Sequence, residues 1–424
     1  MQLQFKKLKN SLGSLLIHNP DSPSVTVMVM VSVGSRHETD KMAGIAHFVE
    51  HTIFKGTKKR PTSKQIGMEI ELLGGNSNAF TSNDYTGYYI KVPSGKQQQA
   101  LEILSDMVKN SLFVTAEIEK ERRVIIEEIK MYEDMARSKV GDIFMHDVYL
   151  KHPMSREITG SVESLNGLNR QDLENFVRDN YTGSNMLISI AGNLERPTME
   201  KLVEDSFGSL PTGLKAPFKK VTQHSLGGKI NFTNKKLEQT HLVFGGFGYP
   251  RKNDKRYAYQ VGNAILSYGF GSRLFQVLRD ELGLAYYVDS SIPAYSDHGL
   301  FKIAMGVDSK RVGVAVNAAL KQLSCLKTGD FSDEEFERAR NFLIGSLITQ
   351  LETSEDLGSW FGSQKLLRDE LVSGEETIKR ITKVTREEVL ATWSPLLKPG
   401  NLHFTILGPK QFYKNDIDPS LIGS

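Results

Sequence analysis

The spacing of apolar positions along the chain predicts a mixture of strands and helices. A continuous apolar run over residues 25–33 predicts a buried strand, and residues 85–92 and 240–247 predict two more. Apolar residues spaced three and four apart over 96–112 and 115–133 predict long helices. This mixture indicates an α+β fold in which helices cover one face of each sheet.

The pattern of the first half recurs in the second half. Residues 185–192 form an apolar strand that ends in glycine, and residues 401–408 repeat it 216 positions later. A stretch rich in glycine, proline and lysine, residues 213–230, separates the halves as a linker. The chain is therefore predicted to contain two homologous domains from an internal duplication, 1–212 and 231–424. Each is expected to hold a mixed, mainly antiparallel sheet covered by helices.

Composition narrows the classes of function. The 424 residues carry a formal net charge of only +3, so neither a nucleic acid nor a membrane is expected as a partner. The densest basic stretch, residues 55–64, is predicted to be a solvated loop. The single cysteine, Cys325, excludes an intrachain disulfide, and no apolar run reaches the roughly 20 residues that span a bilayer. The absence of a visible signal makes the cytoplasm the default expectation, with an organelle matrix as the alternative.

The strongest chemical signal is the motif His47-Phe-Val-Glu50-His51. On a helix, His47 and His51 lie one turn apart on the same face, so their imidazoles can hold one zinc ion. Glu50 lies beside both and is free to act as a general base towards water that the metal activates. The order of residues is the inverse of the commoner His-Glu-x-x-His motif, and both orders belong to zinc peptidases.

A catalytic zinc needs a third protein ligand, and the predicted helix over 115–133 offers carboxylates. Glu121 and Glu128 are seven residues apart and share a face, so one can bind metal while the other lies behind it. Glu119 and Glu127 are equally acidic, as is Glu133. The residue pattern alone leaves the choice among these five open.

Three further segments surround the motif: Gly34-Ser-Arg-His-Glu38, Phe54-Lys-Gly-Thr57 and Gly74-Gly-Asn-Ser-Asn-Ala-Phe-Thr-Ser82. With them, nearly the whole chain resembles the pitrilysin family of inverted zincins, which includes insulysin and the mitochondrial processing peptidase. In that family the third ligand is a glutamate about 77 residues after the second histidine, and another essential glutamate lies seven residues earlier. The resemblance therefore implies Glu128 as zinc ligand and Glu121 as its supporting carboxylate.

The same resemblance implies residues that contact substrate. Arg279 and Tyr286, seven apart, match a pair that reaches the scissile carbonyl in the family. Asn78 and Ala79 match the edge strand on which the family lays an extended peptide. The family closes two double domains into a chamber, so a chain of this length implies a homodimer, or a heterodimer with an inactive homologue.

The internal repeat indicates that the second half has lost the metal-binding residues. At an offset of 217, Arg338 lies opposite Glu121 and Gly345 lies opposite Glu128, and no second His-x-x-Glu-His occurs. We therefore expect one zinc ion per chain. The predicted function is a zinc endopeptidase that cleaves unfolded peptides or presequences inside a closed chamber. The alternative is a non-catalytic scaffold or partner subunit of a complex that resembles the processing peptidase.

Overall fold

The computed structural model describes residues 1–398 and 400–409. The chain forms two compact units. Unit 1 contains Met1–Met131, Arg156–Lys219 and Gln350–Val372. Unit 2 contains Tyr132–Ser155, Lys220–Thr349 and the described residues from Ser373 onwards. Residues 410–424, the end of the predicted second domain, lie outside the described residues.

The strands predicted over 25–33, 85–92 and 185–192 and the helices predicted over 96–112 and 115–133 are present, with bounds that shift by at most two residues. The first half contains these and other strands and helices. They are β1 (Gln2–Lys7), β2 (Gly13–His18), β3 (Ser24–Val31), α1 (Ile45–Ile53), α2 (Ser63–Leu72), β4 (Asn76–Thr81), β5 (Thr86–Pro93), α3 (Gln97–Asn110), α4 (Thr115–Asp134), α5 (Ala136–Tyr149), α6 (Val162–Gly167), α7 (Arg170–Asn180), β6 (Met186–Gly192) and α8 (Arg196–Phe207).

Up to residue 409, the second half repeats this order with fewer strands. Its elements are β7 (Ile230–Asn234), β8 (Gln239–Gly248), α9 (Arg256–Ser267), a π-helical segment (Phe275–Glu281), β9 (Ala285–Ser291), β10 (Gly299–Asp308), α10 (Val312–Thr328), α11 (Asp333–Gln350), α12 (Ser354–Arg368), α13 (Gly374–Thr382), α14 (Arg386–Trp393) and β11 (His403–Gly408).

Each unit has one mixed, mainly antiparallel sheet, which confirms the predicted fold class. In unit 1 the strand order is β1-β2-β6-β3-β5-β4, and only β2 and β6 run parallel. In the described part of unit 2 the order is β7-β11-β8-β10-β9, and only β7 and β11 run parallel there. The strands β6 and β11, which carry the 216-residue repeat, therefore hold equivalent places next to the parallel neighbour.

The expectation that helices cover only one face of each sheet is wrong. In β3 the valines at 25, 27, 29 and 31 pack with α1 and α3, while Met28 and Met30 pack on the opposite side against Leu357 and Phe361 of α12. Gly362 allows α12 to approach closely, because a Cβ there would meet the sulfur of Met30 at 2.5 Å. A strand buried on both faces explains why its sequence is a continuous apolar run.

The helix that covers the second face of each sheet comes from the other half of the sequence. α12 belongs to unit 1, and α5 belongs to unit 2, where it packs on β8 and β11. The predicted domains 1–212 and 231–424 are each one continuous stretch of chain. Each compact unit instead includes a helix from the other half of the sequence. The beginning of the predicted linker packs on unit 1, since the amide of Asn185 binds the backbone of Leu214 and Ala216.

The prediction that the basic stretch 55–64 is a solvated loop is wrong for two of its basic residues, and Thr57 between them is fully buried. The side chain of Lys55 is half-buried against Glu121. Arg60 is only 6% exposed and forms ion pairs with three carboxylates. Within the described part of the chain, no helix is long and apolar enough to cross a membrane.

Candidate metal centre

The helix α1, which carries the His-x-x-Glu-His motif, is fixed at its first turn. Gly44 precedes it with a φ of +89°, and a Cβ at that position would lie 2.5 Å from the carbonyl oxygen of Thr159. The carboxylate of Glu38 accepts the N–H groups of Gly44 and Ala46 at 2.8 and 2.9 Å. Burial raises the pKa of Glu38 to about 7, although these two bonds oppose the shift. The start of α1 is thus bound by a side chain that satisfies otherwise free N–H groups.

Two histidines of α1 and one glutamate of α4 converge. The imidazole rings of His47 and His51 lie 4.6 Å apart between centroids. Oε2 of Glu128 lies 3.8 Å from Nε2 of each histidine. Among the described residues, these three form the only group of three or more His, Cys, Asp or Glu side chains with donor atoms within 4.8 Å of one another. Donor atoms around a tetrahedral zinc are about 3.4 Å apart, so the group has nearly the required spacing.

The environment of His47 also fits a metal ligand. Burial lowers the pKa of His47 to about 4, so the ring is neutral and keeps a lone pair. Its Nε2 faces Oε2 of Glu128 at 3.8 Å, which is the side on which a metal would bind. Its buried Nδ1 has no hydrogen-bond partner among the described residues, and a metal held at Nε2 would leave that atom unpaired. Two imidazoles and a carboxylate are a donor set that zinc prefers.

Glu121 orients the second histidine. Its Oε2 lies 3.1 Å from Nδ1 of His51, and its Oε1 lies 2.7 Å from Nζ of Lys55. This geometry assigns the proton of His51 to Nδ1 and leaves the Nε2 lone pair facing Glu128. The seven-residue spacing of Glu121 and Glu128 places both on the face of α4 that meets α1.

Glu50 lies beside the group without belonging to it. Its Oε2 accepts a hydrogen bond from the hydroxyl of Thr81, the last residue of β4. Burial raises the pKa of Glu50, and Glu128 acts in the same direction, while Thr81 and His51 oppose the shift. A half-buried carboxylate with an increased affinity for protons is suited to accept one from water.

The predicted substrate strand lies at the edge of the sheet of unit 1. β4 pairs with β5 and ends the strand order, so its other side has no strand partner within the described ranges. Asn78 is exposed there, and its Oδ1 accepts the N–H of Ala79. The last residue of the same strand, Thr81, bonds the candidate base.

Arg279 and Tyr286 lie beside each other in unit 2. The guanidinium of Arg279 is 5.3 Å from the ring of Phe275 and 6.0 Å from that of Tyr286, which is 74% exposed. The metal group belongs to unit 1, so the roles of Arg279 and Tyr286 stay predictions. Arg338, which the internal repeat aligns with Glu121, also lies in unit 2. Its guanidinium donates to the carbonyl of Tyr268 next to the end of α9, so this residue has a structural contact.

Sequence reasoning missed three residues that support this centre: Glu38, which binds the start of α1, and Lys55 and Thr81, which contact Glu121 and Glu50. Lys55 follows His51 by four residues, the spacing of helical neighbours, and that spacing was the available signal. Nothing local to the sequence marks Glu38 or Thr81. Their contacts depend on how a turn and an edge strand pack against α1.

The sequence resembles known zinc proteases over most of its length. Residues 14–162 match the model of insulinase (peptidase family M16), and residues 167–343 match that of the peptidase M16 inactive domain. A protein of Rickettsia felis named as an uncharacterized zinc protease is 34% identical over 91% of this chain and 93% of its own length. The Bacillus subtilis zinc protease YmxG, also named as uncharacterized, is 34% identical over 90% of this chain and 92% of its own length.

Solved structures show the same fold. A peptidase M16 inactive domain from Pseudomonas fluorescens superposes with a TM-score of 0.91 at 19% identity and covers 98% of this chain and 99% of that one. A protease from Helicobacter pylori gives a TM-score of 0.89 at 21% identity, with 96% and 99% covered. At these identities the likeness establishes the architecture alone.

Proposed function

This chain belongs to peptidase family M16, and from that premise we propose that it is a zinc-dependent endopeptidase that cleaves unfolded peptides or presequences. One observation carries the proposal: the donor atoms of His47, His51 and Glu128 converge within 4.8 Å next to a half-buried carboxylate, Glu50. The proposed ligands of one zinc ion per chain are these two histidines and Glu128. When bound, zinc supplies Lewis acidity, which polarises a carbonyl and allows water to be activated near neutral pH.

In the proposed reaction, Glu50 would transfer the proton and Glu121 would orient the second histidine. Glu50 accepts a proton from the attacking water on a carboxylate oxygen as the new C–O bond forms. It then delivers that proton to the nitrogen of the leaving amine as the C–N bond breaks. Glu121 keeps the proton of His51 on Nδ1, so that Nε2 remains a ligand atom.

The open edge of β4 supports an extended substrate. A peptide in strand conformation can pair with the free side of this edge near Asn78 and Ala79, through main-chain hydrogen bonds that tolerate many side chains. Thr81, on the same strand, bonds Glu50, so a peptide paired there would lie near the base. We further propose Arg279 and Tyr286 as donors to the developing oxyanion, and a homodimer that closes a chamber. A heterodimer with an inactive homologue is the alternative, and gel filtration with and without that partner distinguishes them.

Three variants test the catalytic proposal. Glu50→Gln should keep about one zinc per chain and lose hydrolysis of a quenched peptide by at least about 100-fold, since general-base catalysis contributes about 10²–10⁴-fold. Glu128→Gln should lose the zinc. Glu127→Gln is the matched control, because this neighbouring side chain is exposed and pairs with Lys130 away from the centre.

Metal analysis and peptide hydrolysis together separate the peptidase from the alternative, a non-catalytic scaffold. The scaffold is not favoured, because the ligand residues are intact and converge. Purified protein without zinc, or Glu50→Gln with full activity, would contradict the proposed mechanism. Equal loss of zinc in Glu127→Gln and Glu128→Gln would contradict the assignment of the third ligand.

A further inference from the structure

A lysine at the end of α1 is connected to the metal centre through a carboxylate. We propose that Lys55 is a positioning residue of this centre: its ammonium group fixes Glu121, and Glu121 in turn fixes the ring of His51. The inference rests on the proposed zinc site, and it extends that site by one residue beyond the ligands and Glu121.

The two oxygens of Glu121 are divided between two partners. Oε1 lies 2.7 Å from Nζ of Lys55, and Oε2 lies 3.1 Å from Nδ1 of His51. Because both oxygens are held, the carboxylate cannot rotate about its terminal bond without losing a contact. The orientation of the imidazole therefore depends on a chain of two contacts that begins at Lys55.

The pair differs from the ordinary surface ion pairs of this chain. Glu121 is only 7% exposed, and Lys55 is half-buried. By contrast, Lys59 pairs with Glu102 at 2.8 Å, but its side chain is 66% exposed. An exposed pair contributes little because water screens it, whereas a pair at a buried carboxylate is screened much less.

The backbone places Lys55 where it can reach α4. The residue follows the last turn of α1, and its N–H donates to the carbonyl of Thr52 at 3.1 Å. Its side chain then crosses to Glu121, two turns before Glu128 on the same helix. The contact thus joins the two helices that supply the ligands, and its loss would loosen the approach of Glu128 to the histidines.

The expected effect is a weaker metal site in a folded protein. Loss of a group that directly supports a metal ligand typically weakens metal binding about 10–100-fold. Lys55 acts one contact further away, so we expect the lower end, about tenfold. Hydrolysis by protein saturated with zinc should show a lower kcat and little change in KM, because no step of peptide binding involves Lys55.

The test compares Lys55→Met and Lys55→Gln with Lys55→Arg, which retains the charge, and with Lys59→Met, which removes the exposed pair. Zinc affinity is measured by competition with a chromophoric chelator. The absorption spectrum of the cobalt(II)-substituted protein reports the ligand geometry separately. Circular dichroism and thermal unfolding establish that each variant is folded.

We expect the zinc dissociation constant to rise about tenfold in Lys55→Met and Lys55→Gln, with an altered cobalt spectrum. Lys55→Arg should recover most of the affinity, and Lys59→Met should equal the wild type. Affinity within twofold of the wild type in both Lys55→Met and Lys55→Gln would overturn the inference, as would equal weakening in Lys59→Met. A wild-type chain that binds zinc but cleaves no peptide would refute the proposed function, while the affinities of the variants would still decide the role of Lys55.

Discussion

Replacing Arg60 by methionine tests whether the segment between α1 and α2 is held by one buried guanidinium. Arg60 donates to Asp106 through Nη1 at 2.7 Å, to Glu69 through Nε at 2.7 Å and to Glu102 through Nη2 at 2.5 Å. Methionine retains much of the apolar volume of the stem and removes all three ion pairs. The substitution therefore isolates the charge from the packing.

The magnitude follows from the exposure of each partner. The side chains of Glu69 and Glu102 are each 44% exposed, so these pairs contribute about 0.2–1 kcal/mol each. Asp106 is only 3% exposed and would lose its charged partner. It keeps hydrogen bonds from Thr57 and Asn110, so its cost should fall below the roughly 3–5 kcal/mol of an uncompensated buried charge. The free energy of unfolding should fall by about 3 kcal/mol in total.

Chemical and thermal unfolding measure this change. A loss of about 3 kcal/mol corresponds to a fall in the melting temperature of about 6–12 °C for a unit of this size. Lys59→Met is the control, because Lys59 pairs with the same Glu102 from an exposed position and should change the free energy of unfolding by less than about 0.5 kcal/mol. A change below about 1 kcal/mol in Arg60→Met, or an equal change in both variants, would refute the argument from burial.

Three further predictions address other contacts. Thr81→Val should lower kcat about tenfold while zinc is retained, because Glu50 loses its hydrogen bond, and Thr81→Ser should recover activity in the same peptide assay. Burial acts to raise the pKa of Asp147, but hydrogen bonds from three side chains hold that pKa below its usual value of 3.8. The stability that these hydrogen bonds provide is therefore present above about pH 4 and is lost as the pH falls. Urea unfolding from pH 6 to pH 3 should therefore lose stability more steeply in the wild type than in Asp147→Asn, and equal slopes would exclude this contribution. Gly44→Ala should destabilise the start of α1 by about 1–3 kcal/mol, because its Cβ would collide with Thr159 at a positive φ; an unchanged melting temperature would contradict that strain.

The elements of the fold could be predicted because their signals are local. The apolar run at 25–33 forms β3, and the segment with helical spacing over 115–133 forms α4. Both could be predicted because the apolar residues that a strand or helix buries recur at short, regular spacings along the chain. The two histidines of α1 were predictable for the same reason: a four-residue spacing fixes which side chains share a face. The choice of Glu128 among five acidic residues needed family resemblance.

Other contacts could not be predicted, because they join residues far apart in the sequence. The burial of Arg60 depends on carboxylates of α2 and α3, and nothing within its own segment distinguishes it from the exposed Lys59. The hydrogen bond between Thr81 and Glu50 spans 31 residues and depends on where β4 lies against α1.

The sequence by itself determined the central strand β3, the long helices α3 and α4, the repeated strands β6 and β11 and the pair of histidines, because periodicity and spacing act within a few turns of chain. Only the tertiary structure decided that α5 and α12 cover sheets of the opposite half, and that Glu121 divides its oxygens between His51 and Lys55. The physical reason is that the burial of a helix face and the partners of a carboxylate depend on which groups lie nearby in the folded protein. A helix can bury its apolar face on any sheet that it reaches, and a carboxylate pairs with whichever donors the packing brings to it.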